Sequence, residues 1–288
     1  ASDVYKRQVQ KDLWFVNLRM LREASIDIYG MVDRGEWTWD KAEELGKRLT
    51  KDTNGDGTPD IYGIGSSSAQ NLAESLASAN GAALTRLNGD NRPILAWSDP
   101  AVLEAINRMY KWCTTDNICR PTPSNQAWTQ AATDFVNGSY AMVQGPIDYL
   151  SSFQSAAMKD DFGVIPPPKG PKADGDQDRA AELIQLYQEL SKSTDGMTKS
   201  EAWQDQYLDL VRDDQSMEYL MKLGFEGRQR LSLTSAVAVN WGDPSLAVVF
   251  ENMAKNTTSP GAAIQEYGSQ FQAQMDDKWK DITLTGIQ

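Results

Sequence analysis

The residues Asp52-Thr53-Asn54-Gly55-Asp56-Gly57-Thr58-Pro59-Asp60 spell D-x-N-x-D-G-x-x-D. Oxygen side chains at positions one, three, five and nine, with glycine at six, suit a hard cation held by several oxygens in a tight loop. Calcium is the natural candidate, with Asp52, Asn54, Asp56 and Asp60 as ligands; no other cofactor is suggested. The twelfth position, where a calcium loop of the EF-hand type places a bidentate Glu, is Gly63. A distal carboxylate would have to complete the shell. The same residues also make an Asx-rich turn between Leu49 and Ile61, and the spacing leaves both readings open.

Catalytic chemistry is narrowly bounded. The 288 residues contain no histidine, which removes Ser-His-Asp and Cys-His catalysis and His-ligated zinc. Carboxylates are plentiful, so a pair such as Asp148 with Glu74 is conceivable for glycoside hydrolysis, yet no spacing singles one out. No P-loop, GxGxxG after a strand, GxSxG or HExxH occurs. Cys113 and Cys119 have five residues between them and suit either a small disulfide or two buried thiols. Nine Trp and ten Tyr are generous, and their faces can stack on sugar rings. Tyr149, Trp128 and Trp241 lie near helix starts or chain turns and are the aromatic candidates, each also open to a packing role. A net charge of -12 and a pI near 4.6 argue against a nucleic-acid partner.

These side chains need elements to hold them. Phe135–Pro146, FVNGSYAMVQGP, reads as a helix end, a short buried strand and a new helix start. Gly138 sits where a helix C-cap tolerates positive φ. Tyr140 to Val143 suits a strand in a covered sheet. Gly145-Pro146 resets direction, with Pro146 at the first helical position. Further strands are predicted at Leu13–Val16, Ile61–Ile64 and Asp161–Ile165. Helices are predicted after the Thr38 cap and at about Leu72–Ala79, Pro100–Trp112 and Gln126–Val136. Beyond the polar loop Lys169–Asp178 the pattern is helical: about Arg179–Leu190, Ser200–Leu223, Pro244–Ala254 and Pro260–Trp279.

In order, four segments carry a resemblance. LWFVNLRMLREASI (Leu13–Ile26), GEWTWDKAEELGKRLTKDTNGDGTPDIYGIG (Gly35–Gly65), FVNGSYAMVQGP and DFGVIPPPKGP (Asp161–Pro171) resemble segments of the extracellular solute-binding proteins of ABC importers. The similarity is to the carbohydrate-binding group, which includes maltose-binding protein. It implies an α/β fold of the type II periplasmic-binding-protein kind, in which two lobes close on a ligand without catalysis. The implied partners are a sugar or oligosaccharide and the membrane subunits of an ABC permease, with a monomeric, extracytoplasmic, lipoprotein-anchored whole protein.

The segment LWFVN follows the family's first lobe crossing, so the resemblance implies a fragment: mainly the second lobe, with an incomplete first lobe. Ala1–Gln8 then reads as a sequence-end artefact. The expected divisions are 12–171 for the second lobe, 172–235 for a helical remnant of the first, and 236–288 for helices returning to the second. The resemblance also implies ligand contacts. Trp128 matches a ligand-facing aromatic seven positions before Phe135. Ile147 replaces a sugar-stacking Trp, with Tyr149 able to serve instead. Asp148 suits the bridging of hydroxyls. Ser67 and Gln70 lie in a polar ligand loop, and Trp241 comes from a returning segment. The competing classes are a carboxylate-pair glycosidase and a calcium-stabilised surface module.

Overall fold

The computed structural model describes residues 12–90, 92–156, 158–173, 208–222 and 245–280. Its centre is a five-stranded sheet built from β1 (Asp12–Asn17), β2 (Tyr62–Ser66), β5 (Cys119–Pro121), β6 (Tyr140–Pro146) and β7 (Phe162–Ile165), in the order β5-β2-β6-β1-β7. β2 pairs in parallel with β5 and β6, whereas β1 is antiparallel to both β6 and β7. Four strands therefore end on one side of the sheet, and β1 runs against them between β6 and β7. Leu13, Trp14, Phe15 and Val16 are all buried, as a strand covered on both faces requires. A separate hairpin joins β3 (Thr85–Leu87) to β4 (Pro93–Leu95).

Trp14 and Val16 face a large apolar layer with Ile64, Met142 and Ile165. That layer is completed by α1 (Leu18–Glu23), α2 (Ile28–Asp33), α3 (Trp39–Leu49), α4 (Ala69–Ala79) and α5 (Pro100–Cys113), and by α9 (Leu246–Ala254) and α10 (Pro260–Trp279). Leu13 and Phe15 face a smaller layer, where α6 (Gln130–Val136) and α7 (Tyr149–Ser155) bring Phe135, Tyr149 and Phe153. α8 (Asp214–Met221) covers β7, whose Val164 amide donates to Ser216 Oγ at 2.8 Å. A side chain thus satisfies part of an edge strand.

α4 crosses the sheet. It starts at the end of β2, where Ser68 caps it. Its Ser75 accepts from Trp14 Nε1 of β1 at 3.3 Å. Its last carbonyl, Ala79 O, accepts from Gly170 N, beyond the end of β7. Thr38 caps α3 and Gly138 ends α6 at φ +80°, both as expected.

Some expectations shift. The residues Gly145-Pro146 close β6 instead of opening a helix; the turn of α7 starts at Tyr149, with Asp148 before it. The helix expected from Gln126 begins at Gln130. Strands β3, β4 and β5 hold three residues each, too few to show a period. Cys113 and Cys119 are free thiols. Within 172–235 the described helix α8 packs on β7 of the same sheet as β1; the rest of that range, and the helix expected at about Arg179–Leu190, lie outside the described residues. Among the described residues, no helix is long and apolar enough to cross a membrane.

Candidate functional site at the strand ends

In an open α/β sheet, ligands bind in the crevice beyond the carboxyl ends of parallel strands. Here those ends are Ser66–Ser67 after β2, Pro121–Thr122 after β5 and Gln144–Pro146 in β6. Backbone bonds tie them together: Ser67 N donates to Gln144 O at 3.1 Å and Thr122 N to Ser66 O at 2.8 Å. Ser66 Oγ donates to Ser68 O at 2.8 Å and stands 2.5 Å from Gln144 Oε1.

Two aromatic candidates, Trp128 and Tyr149, meet at the end of β6. The Tyr149 ring packs against Gly145, where a Cβ would come within 2.2 Å of the ring, so a larger residue would push the buried ring aside. Trp128 stacks on Tyr149 with centroids 5.9 Å apart and planes at 10°. The Tyr149 hydroxyl donates to Trp128 O at 2.6 Å, fixing the backbone beneath the indole. Tyr149 has no exposed surface, whereas Trp128 is 51% exposed, the largest exposed aromatic among the described residues. Trp128 is therefore a flat apolar plate on a buried support.

The polar candidates lie on other segments: Ser67 is tied to the β6 end through its amide, and Asp148 precedes Tyr149. Ser67 and Gln70 are buried at the start of α4. Ser67 Oγ accepts from Asn71 Nδ2 at 2.9 Å, and Gln70 Nε2 donates to Glu74 Oε1 at 3.0 Å. Asp148 is exposed just before α7 and makes no side-chain cap. Ile147 is buried in the smaller core layer. Trp241 lies outside the described residues. Sequence reasoning missed Gln144 and Thr122, buried polar side chains whose Nε2 and Oγ1 have no hydrogen-bond partner among the described residues. Their signal was present: a Gln ending an otherwise apolar strand, and a Thr just after a short one.

The loop 52–60 is knit by its own backbone. Asp52 accepts from the amides of Asn54, Gly55 and Gly57, and Asp60 from the amide and hydroxyl of Thr53. These hydrogen bonds, the Gly57 amide foremost for Asp52 and the Thr53 hydroxyl for Asp60, hold both carboxyls below their ordinary values. Asn54 Nδ2 donates to Asp60 Oδ1 at 3.1 Å, and Asp56 Oδ1 accepts from Thr58 N at 2.8 Å. Among the described residues, no group of three or more His, Cys, Asp or Glu is gathered as a metal site.

A covered α/β lobe with an aromatic plate and buried polar groups at its strand ends defines a ligand-binding module. The sequence profile of the bacterial extracellular solute-binding proteins matches residues 9–198, and the chain belongs to that family. Its place is accordingly extracytoplasmic, and its role is solute binding for ABC import. No curated protein sequence matches the chain.

Solved structures agree on the fold, the type II periplasmic-binding-protein kind. UspC of M. tuberculosis is 15% identical, with a TM-score of 0.65 over 94% of this chain and 73% of its own. UgpB from Mycobacterium tuberculosis, in complex with glycerophosphocholine, is 15% identical with a TM-score of 0.63, over 93% and 69%. The maltose/maltodextrin-binding domain MalE from Bdellovibrio bacteriovorus, bound to maltotriose, is 16% identical with a TM-score of 0.59, over 94% and 71%.

Proposed function

We propose that the solute is a carbohydrate, bound at the strand ends with a sugar ring on Trp128. The observation that carries this reading is an exposed indole held parallel to a wholly buried tyrosine. A large aromatic so exposed costs solvation, and a flat partner of mixed polarity offsets that cost. Ser67, Gln70 and Asp148 supply hydroxyl partners around it, and Trp241 belongs to the same proposal. No bond is made or broken. The complete protein works as a lipoprotein-anchored monomer that hands its ligand to the permease subunits. Similar structures bound to sugars support this reading, and the glycerophosphocholine complex sets its nearest competitor.

The test is a thermal-shift screen of the full-length protein against mono- and oligosaccharides and glycerophosphocholine. A ligand at a hundred times its Kd stabilises by about 2.7 kcal/mol, well within detection. Trp128→Ala should weaken a binding sugar at least tenfold, or about 1.4 kcal/mol, with the unliganded Tm little changed. A shift with glycerophosphocholine alone overturns the carbohydrate assignment. Steady release of product from an oligosaccharide overturns the non-catalytic one.

Calcium at Asp52, Asn54, Asp56 and Asp60 is a separate proposal. The carboxylates of Asp52, Asp56 and Asp60 keep lone pairs beyond those taken by the loop's own hydrogen bonds, and a cation would use these. A rise in Tm on titrating calcium chloride, abolished in Asp56→Asn, supports it; an unchanged Tm excludes it.

A further inference from the structure

Cys113 ends α5 and Cys119 opens β5, and the chain between them is a closed turn. Trp112 O accepts from Ile118 N at 3.0 Å, Lys111 O from Asp116 N at 2.9 Å, and Asn117 takes a positive φ of 49°. This turn packs Cys113 against the buried apolar layer that contains Cys119. The two thiols differ in access: Cys113 is half-buried beside Met109 Sδ at 3.9 Å, whereas Cys119 is buried in the core. Burial, and then contact with Cys113, pushes the Cys119 thiol well above its ordinary value. The family's extracytoplasmic setting keeps such pairs under oxidising conditions.

We propose that Cys113 and Cys119 are a built oxidation site, converted to an intramolecular disulfide that staples α5 to the edge strand β5. The oxidant is an external disulfide, of a small thiol or of an oxidoreductase. Cys113 gives its proton to solvent, and its thiolate attacks one sulfur of that disulfide, expelling one thiolate. Cys119 then loses its proton and attacks the Cys113 sulfur of the mixed disulfide, expelling the second. Two protein thiols give up two protons and two electrons, and one external disulfide becomes two thiols. The order follows from access, since only Cys113 is reachable from outside.

The chain is reduced, freed of reductant and treated in its folded state with oxidised glutathione. It is then unfolded in guanidinium with N-ethylmaleimide and weighed. The expected wild-type product carries no maleimide and no glutathione and is lighter by two hydrogens. Cys119→Ser should hold one glutathione on Cys113, while folded Cys113→Ser should stay unmodified. The oxidised wild type should melt about 5 °C above the reduced form. Two maleimides on the treated wild type, a persistent mixed disulfide, or a disulfide-linked dimer overturns the proposal. So does glutathione on Cys119 in folded Cys113→Ser.

Discussion

A single residue shows how far local spacing can mislead about environment. Glu43 on α3 stands four residues before Lys47, a spacing typical of an exposed helix face, and that pair is present at 2.7 Å. Yet the Glu43 side chain is only 13% exposed, because Arg108, Lys111 and Trp112 of α5 close over it. Burial alone would raise the Glu43 carboxyl, but hydrogen bonds from Lys111, Lys47 and Trp112 outweigh it and hold it at about 2. The unfolded carboxyl binds protons near pH 4.5 and the folded one near 2, so the unfolded state takes up more protons in between. This stabilisation is full above about pH 5 and fades as pH falls toward 2. Glu43→Gln should therefore cost about 2 kcal/mol at pH 7, after allowance for the half-exposed lysines. The difference from wild type should shrink toward pH 2, in urea melts across that range. A constant difference would show that the loss of an acceptor oxygen, and not of the charge, makes the exchange costly.

At the scale of elements, what the sequence showed depended on length and on caps. The helices α3, α4, α5 and α10 announced themselves through Thr38, amphipathic spacing, and prolines at Pro100 and Pro260. The strands β1, β2, β6 and β7 stood out as apolar runs, whereas the three-residue strands had no period to read. The close approach of α3 to β2 was also hidden, since it rests on two glycines far apart in sequence. A Cβ at Gly63 would lie 2.3 Å from Gly46 O and 2.5 Å from Gly46 Cα, both backbone atoms that cannot turn aside. Gly63→Ala should push helix from strand and cost about 3 kcal/mol, a fall of several degrees in Tm. Gly89→Ala, in the hairpin turn, meets no atom within 4 Å and should change Tm by less than a degree or two. Similar melting of the two variants would remove the case for close packing at Gly63.

Across the whole molecule, α4 links the binding end to the segment by which the chain leaves the sheet. Just before its cap, Ser67 N is tied to Gln144 O of β6, and its last turn holds residues 169–172. There Asn80, fully buried, accepts from Lys172 N at 2.8 Å and donates to Ala101 O at 2.9 Å, while Gly170 N reaches Ala79 O at 2.9 Å. On the other side Lys169 N donates to Trp37 O and Lys169 O accepts from Trp39 N, both at 3.0 Å. The polar loop Lys169–Asp178 marks this segment as a boundary but gives no sign of Asn80, its main clamp, about ninety residues earlier. Whether the segment follows α4 or α3 decides how a disturbance at the ligand end travels. Asn80→Ala removes one acceptor and one donor from buried partners, which should cost about 2 kcal/mol. If Asn80 is the clamp, amide exchange at Gly170, Lys172 and Ala173 should speed at least tenfold in this variant. The β2 amides, held between β5 and β6, should keep their wild-type protection. Unchanged exchange at 170–173 would mean that Trp37 and Trp39 hold the segment by themselves and that α4 ends at the sheet without controlling the exit.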